Sequence, residues 1–252
     1  MKAMIFAAGI GSRLKPLTDN MPKALIPVNG KPMLEHVILK LKAFGFDQIV
    51  INIHHLGEQI IDFLKANNNF GIQIFISDEK DYLLDTGGGL KKAQQFLQGD
   101  EPFLIHNADI ISDIDLKKLY DSHLENNPLA TLLVSQRETS RYLLFDKSNK
   151  LCGWRNRETG EIKSFYPYFD PSHYQEYAFG GIHVLSPQIF DWLQEWTGRF
   201  SIINFYLSVC AKTNIRAYVA EDLHLLDIGK PETLAQAEEW MKTGMGKLEN
   251  IY

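Results

Sequence analysis

One apolar run that breaks into glycines constrains this chain more than anything else in it. The stretch Met4-Ile-Phe-Ala-Ala-Gly-Ile-Gly-Ser-Arg13 is followed ten residues later by Pro22-Lys23. Lys2–Ala8 reads as a buried strand, and a strand ending in Gly9-x-Gly11-x-Arg13 delivers bare backbone amides and a cation to one place. Glycine lets the backbone approach an anion closely, and successive N–H groups form an anion-binding nest. Arg13 and Lys23 add charge that a closed site screens poorly. The combination suits a nucleoside triphosphate. Two other phosphate binders are disfavoured: Leu14-Lys15 stand where a dinucleotide fingerprint needs its third glycine, and no Gly-Lys-Ser/Thr of a P-loop occurs. On the glycines alone, a plain tight turn is an equal reading.

The rest of the first half alternates. Met33, Leu34, Val37, Ile38, Leu41 and Phe44 recur at helical spacing after Pro32, a suitable first-turn residue. Strands are predicted at Gln48–Ile53, Ile72–Ile76, Phe103–His106 and Ala130–Val134, with helices over Leu56–Leu64, Gly89–Leu97 and Leu116–Leu124 between them. This order predicts an α/β fold: a Rossmann-like, mostly parallel sheet covered by helices on both faces. Ligands of such sheets bind beyond the carboxyl ends of the strands. The glycine bend, Asn52, the run Gly87–Gly89 and Asp109 all fall at such ends. From Arg137 to Tyr177 the chain turns polar and aromatic, which predicts a small antiparallel insertion (137–178) within one domain of 252 residues. Its aromatics are expected to form a small core, with a dimer contact or a ligand-facing lid as the alternatives. Strand Phe179–Leu185, helices Pro187–Glu195 and Ile202–Ala211, strand Ile215–Val219 and helix Glu232–Lys242 follow, and 245–252 is expected to be a loose tail.

Composition removes several functions. A net charge of −5 argues against general nucleic-acid binding. Residues 1–42 nonetheless carry seven Lys/Arg against Asp19 and Glu35, a local field suited to a polyanionic small molecule. Cys152 and Cys210 match no metal or redox spacing, the N-terminal apolar run is too short for a signal peptide, and no apolar stretch approaches membrane-spanning length. A cytoplasmic location is the expectation. The sequence leaves the oligomeric state open.

Two carboxylates stand out. Asp109, in His106-Asn107-Ala-Asp109, closes a strand before Ile110-Ile111 and before any helix it could cap. Asp227 sits in Leu225-Leu-Asp227-Ile-Gly229. Aspartate is rarely buried without a partner, and a shared Mg²⁺, which takes one or two carboxylates plus substrate phosphates, would supply one. Leu84-Asp-Thr-Gly-Gly-Gly89 has a bland reading, Asp85 or Thr86 capping the following helix, and a functional one in which the glycines admit a nucleotide against the backbone. The histidines show no metal spacing.

Together, Phe6-Ala-Ala-Gly-Ile-Gly-Ser-Arg-Leu-Lys-Pro-Leu-Thr18, Met21-Pro-Lys-Ala-Leu-Ile-Pro-Val28 and Gly30-Lys-Pro-Met-Leu-Glu35 resemble the sugar-1-phosphate nucleotidyltransferase family. The likeness is strong over 1–110 and returns around 225–240. It implies that a nucleoside triphosphate and a sugar 1-phosphate give an NDP-sugar and pyrophosphate. It also implies catalytic roles for Arg13, Lys23 and Asp109, and a Mg²⁺ ion held by Asp109 and Asp227. Nucleotide contacts would come from Ala7, Ala8, Gly9, Gly11, Ser12, Arg13, Asn52, Thr86, Gly87, Gly88 and Asn107. Gly180 and Gly181, in Phe179-Gly-Gly-Ile-His-Val184, would leave room for the hexose, or else form a bulge. Ala108 replaces the family's usual glycine before Asp109. The family's Glu-Lys-Pro contact to the sugar phosphate is missing, with Arg155 or Arg157 as stand-ins. Members acting on N-acetylmuramate 1-phosphate also depart there and share Thr-Gly-Gly-Gly and a Val-Asp-Val-Gly-like site. UTP with that sugar is therefore the first expectation and GTP with mannose 1-phosphate the second. The segment Ser77–Asp81 lacks the glutamine that many uridine- or thymidine-using members carry. A non-catalytic sensor is the alternative from another class, weakened because all four charged candidates persist.

Overall fold

The computed structural model describes residues 1–243, so the expected tail at 245–252 lies outside the described residues. In chain order the strands begin with β1 (Lys2–Phe6), the two-residue pair β2 (Pro27–Val28) and β3 (Lys31–Pro32), β4 (Gln48–Ile53) and β5 (Gln73–Asp78). They continue with β6 (Phe103–Asn107), β7 (Ile110–Ser112), β8 (Ala130–Ser135), β9 (Arg141–Phe145), β10 (Leu151–Asn156) and β11 (Ile162–Lys163). The last are β12 (Gln175–Leu185), β13 (Ile215–Val219) and β14 (Leu225–Asp227). The helices are α1 (Met33–Ala43), α2 (Gly57–Ala66), α3 (Asp85–Lys92), α4 (Gln94–Leu97), α5 (Leu116–Asn126), α6 (Ile189–Trp192), α7 (Ile202–Val209) and α8 (Pro231–Thr243).

The main sheet runs β5-β4-β1-β6-β12-β8-β13, and β12 alone opposes its neighbours. Alternating side chains sort into two layers. Met4, Val50, Phe103 and Ile105 pack with Leu90, Leu97, Phe190 and Phe205 on one face. Ala3, Ile5, Ile49, Ile51 and Leu104 pack with Leu34, Ile38, Leu41, Ile60 and Leu119 on the other. The middle positions of these strands are apolar on both sides because both faces are covered. Each fully buried Leu, Ile or Phe contributes roughly 1.5–3 kcal/mol relative to exposure.

The segment after 137 continues the sheet instead of sitting on it. β12 is long enough to pair β6 with its C-terminal half and β9 with its N-terminal half, and β9, β10 and β11 extend from there as an antiparallel ribbon. Phe145 and Tyr177 are buried in the core, whereas Tyr168 is wholly exposed. The helix predicted at Gly89–Leu97 starts earlier and is split: α3 opens at Asp85, absorbs all three glycines, and gives way at Ala93 to α4. The helix predicted at Pro187–Glu195 is reduced to the single turn α6. No helix among the described residues is long and apolar enough to cross a membrane.

Candidate active site

Three parallel strands end level with one another. Phe6, the last residue of β1, lies in register between Asn52 of β4 and Asn107 of β6. Beyond these ends opens a cavity of about 260 Å³, bordered by Ala8, Gly9, Asn52, Thr86, Asn107 and Asp109 among others. A smaller cleft beside it is lined by Ala7, Gly9, Lys23 and Asp109. The cavity wall is braced by a buried network. Asn52 accepts from the Ala7 amide (2.8 Å) and donates to Glu79 Oε1 (2.7 Å), and Glu79 Oε2 accepts from the Leu84 amide (2.9 Å). Glu79 is fully buried. A buried carboxylate holding two hydrogen bonds fixes both the β4 end and the approach to α3.

The glycine bend is a packing necessity as well as an opening. Gly11 has φ +69°, a left-handed conformation that favours glycine. A Cβ there would lie 2.8 Å from Thr18 Cγ2 and 3.0 Å from Lys23 Cβ. Thr18 Oγ1 and the Leu14 amide both donate to the Gly11 carbonyl at 2.9 Å. Ser12 and Arg13 follow on an exposed single turn, outside the two cavities. The Arg13 guanidinium nevertheless folds back: its Nη2 and Asp227 Oδ1 lie 2.8 Å and 3.1 Å from the point a Cβ on Gly229 would occupy.

The two carboxylates, 118 positions apart in sequence, are neighbours. β14 pairs antiparallel with β7, setting Asp227 opposite Ile110, and the Ile228 amide donates to the Asp109 carbonyl at 2.8 Å. The Lys23 ammonium forms an ion pair with the Asp109 carboxylate. Asp227 remains solvent-exposed as a residue, yet desolvation of its carboxyl and the charge of Asp109 push its pKa up, against the pull of Lys23, Arg137 and Arg13. Two acids that crowd each other, ringed by cations, form a donor set that a hard divalent ion would neutralise. No cluster of three or more His, Cys, Asp or Glu suited to a metal occurs among the described residues.

Several expectations change. The Gly87 and Gly88 amides are both taken by the Phe200 carbonyl, at 2.9 Å and 3.3 Å. Their bare faces meet the Phe200 ring and the Gly198 carbonyl, so these glycines serve close packing behind the cavity wall. Thr86 and Asp85 line the cavity instead, and neither caps the helix as expected: Thr86 Oγ1 accepts from the Ile202 amide at 2.9 Å. Gly180 and Gly181 form the bulge alternative, at a register shift between Phe179 and His183. Leu133 and Asn107 fill the space that side chains there would need. Arg155 and Arg157 both pair with Glu176, at 2.8 Å and 2.7 Å, and are not free stand-ins. Of the seven N-terminal cations, Lys2, Lys15, Lys31, Lys40 and Lys42 have partners elsewhere, which leaves Arg13 and Lys23 at the site.

Sequence reasoning missed Glu79 and the wall residue Arg199. The only signal for Glu79 was an acid just past a buried strand, and Arg199 had none. A second cavity of about 460 Å³, lined by Arg137, Arg141 and Trp154 among others, was also unforeseen.

Curated relatives include uridylyltransferases and guanylyltransferases that differ in the sugar 1-phosphate their descriptions name. An N-acetylmuramate alpha-1-phosphate uridylyltransferase of Neisseria meningitidis is 44% identical over 122 residues, covering 48% of this chain and 52% of that protein. The protein of the same description from Caulobacter vibrioides is 28% identical over 249 residues, covering 94% and 95%. Matches to other relatives extend over 51% and 55% of their length, so the chain spans about half of the first curated relatives it matches. Among solved structures, HddC from Yersinia pseudotuberculosis complexed with GMP-PN superposes with a TM-score of 0.74 at 23% identity, covering 94% of this chain and 98% of that one. That likeness speaks for the fold alone. The nucleotidyl transferase family matches residues 2–243, nearly the whole of the described chain, and it is to that family that this protein belongs.

Proposed function

We propose that this protein transfers a nucleotidyl group from a nucleoside triphosphate to a sugar 1-phosphate, releasing pyrophosphate. The observation that carries the reading is the meeting of Asp109 and Asp227 beside Lys23 and Arg13, at the mouth of the cavity beyond β1. The acceptor phosphate oxygen is already an anion, so no general base is needed. The obstacle is bringing two anions into line. Lys23 would neutralise the phosphoryl group under attack. Arg13 and the amides of the glycine bend would stabilise the departing pyrophosphate. This is catalysis by positioning and electrostatics. Asp109 and Asp227 would hold Mg²⁺, which when bound supplies charge neutralisation for the reacting phosphates.

The preferred pair is UTP with N-acetylmuramate 1-phosphate, supported by the two relatives of that description and by the Thr86-Gly-Gly-Gly89 and Leu226-Asp-Ile-Gly229 stretches. Two buried free cysteines favour a reducing, cytoplasmic location for the reaction. The test is a grid of nucleotides against sugar 1-phosphates, read by pyrophosphate release with Mg²⁺ and with chelator. UTP with the muramate is expected to lead and chelator to abolish release. A lead by GTP with mannose 1-phosphate would overturn the substrate assignment, and silence across the grid would overturn the reaction.

A further inference from the structure

The second cavity, about 460 Å³, lies between the β9–β11 ribbon and the start of α7, and none of its lining residues has a role in the phosphate chemistry described above. Its charge is one-sided: Arg137, Arg141 and Lys163 line it against a single acid, Glu161. Lys163 is already engaged, 3.3 Å from Glu161 and 4.8 Å above the Trp154 ring. The two arginines keep donors without a partner. Arg137 Nη2 donates to the Phe179 carbonyl at 3.1 Å while its Nε is buried with no partner. The exposed Arg141 guanidinium makes no hydrogen bond or ion pair among the described residues. Two guanidinium groups with unspent donors therefore border one concave space whose walls include Trp154 and Phe179. A guanidinium's planar fork matches a carboxylate, and aromatic walls suit the C–H faces of a sugar.

The cavity's position fits the acceptor side of the reaction. Arg137 lies close enough to Asp227 to act on its charge. Thr86, in the wall of the first cavity, takes a hydrogen bond from Ile202, while Ser201 and Ile203 line the second. The opening turn of α7 thus separates the two spaces. An acceptor phosphate at the carboxylate pair would extend its sugar towards Arg137.

We infer that the cavity between the β9–β11 ribbon and α7 receives the acceptor sugar and selects one that carries a carboxylate substituent, with Arg141 as the specificity-determining residue. The inference rests on the transfer reading and on its preferred acceptor, and adds the cavity and the residue that would recognise the acceptor's carboxylate. A neutral sugar would leave the arginine donors facing hydroxyl groups only, whereas a carboxylate matches their charge and geometry together.

The test compares N-acetylmuramate 1-phosphate with N-acetylglucosamine 1-phosphate, which lacks only the lactyl acid. Both kcat/KM values and calorimetric binding are measured for the unaltered protein and for Arg141→Gln, Arg141→Glu and Arg141→Lys. The unaltered protein is expected to prefer the acid by about tenfold or more, the usual scale of a charge-assisted hydrogen bond. Arg141→Gln should erase most of that preference through the KM for the sugar and not that for the nucleotide. Arg141→Glu should reverse it, and Arg141→Lys should keep part of it. Equal use of both sugars, or a preference that survives both Gln and Glu, would overturn the inference while leaving the transfer reading intact. Tighter binding of the acid, lost in Arg141→Glu, with no pyrophosphate from any substrate pair, would support the pocket and overturn the transfer.

Discussion

Lys40 offers the sharpest physical test of how the carboxylate site is held. It lies on α1, is 4% exposed, and its ammonium donates to the Ser112 carbonyl at 2.6 Å and to Ser112 Oγ at 3.2 Å. That contact ties α1 to β7, the strand that pairs with Asp227. Burial drives its pKa from 10.5 down to about 7, against the opposing pull of Asp113 and Asp115, and His106 is the cationic-capable neighbour that feels its charge. The sign follows from proton counting. Between the folded and unfolded pKa values the unfolded chain binds more protons, so stability rises with pH through that window. That lowering corresponds to a penalty of about 5 kcal/mol when both states are protonated. The penalty is nearly complete at about pH 6, falls to about 2 kcal/mol at about pH 9, and vanishes above the unfolded value. Lys40→Met removes it and loses the bonds to Ser112, a loss of about 1–3 kcal/mol that does not titrate in this range. The buried His123 and His183 are present in both proteins and cancel. Relative to the unaltered protein, Lys40→Met should therefore become less favourable by about 3 kcal/mol between about pH 6 and about pH 9. Urea unfolding followed by tryptophan fluorescence at the two pH values measures this. A difference that stays constant within about 0.5 kcal/mol would refute the claim that burial, not hydrogen bonding, sets the behaviour of this lysine.

Asp109→Asn and Asp227→Asn should each lower turnover by roughly 10²–10³-fold, the cost of about 3–4 kcal/mol in the barrier. Because crowding already disfavours the Asp227 charge, Asp227→Asn should leave the melting temperature of the ligand-free protein unchanged or higher; a clear fall would contradict this. Gly88→Ala places a Cβ 2.5 Å from the Gly198 carbonyl, and the urea midpoint should report a loss of about 1–3 kcal/mol. Asn52→Leu leaves the Ala7 amide and one oxygen of buried Glu79 without their partner; a destabilisation of roughly 2–3 kcal/mol is expected, and a neutral result would show that water replaces the amide.

Much of the architecture was legible because local rules and tertiary demands agree. The runs 48–53 and 215–219 read as strands, and the structure returns both with those bounds, the first buried within the sheet and the second a partly exposed edge. Asp109 and Asp227 were legible as carboxylates without a local use, and Lys23 and Arg13 as cations beside glycines. What sequence misjudged were positions where two segments far apart compete for the same backbone. The glycines at 87–88 and 180–181 look like openings, yet the first pair is filled by 198–200 and the second by Leu133 and Asn107. Spacing alone does not tell a glycine that admits a ligand from one that admits a neighbour.

By itself the sequence determined the alternation of strand and helix, the phosphate-suited bend, and which charged groups lack local partners, since these follow from periodicity and residue chemistry within a few positions. Only the tertiary structure decided which of those groups meet. Pairing of β14 with β7 brings two acids together across half the chain, ion pairing withdraws Arg155 and Arg157, and the reach of β12 places Arg137 and Arg141 around a second cavity. Electrostatic interactions depend on distance and burial, and both are properties of the folded chain.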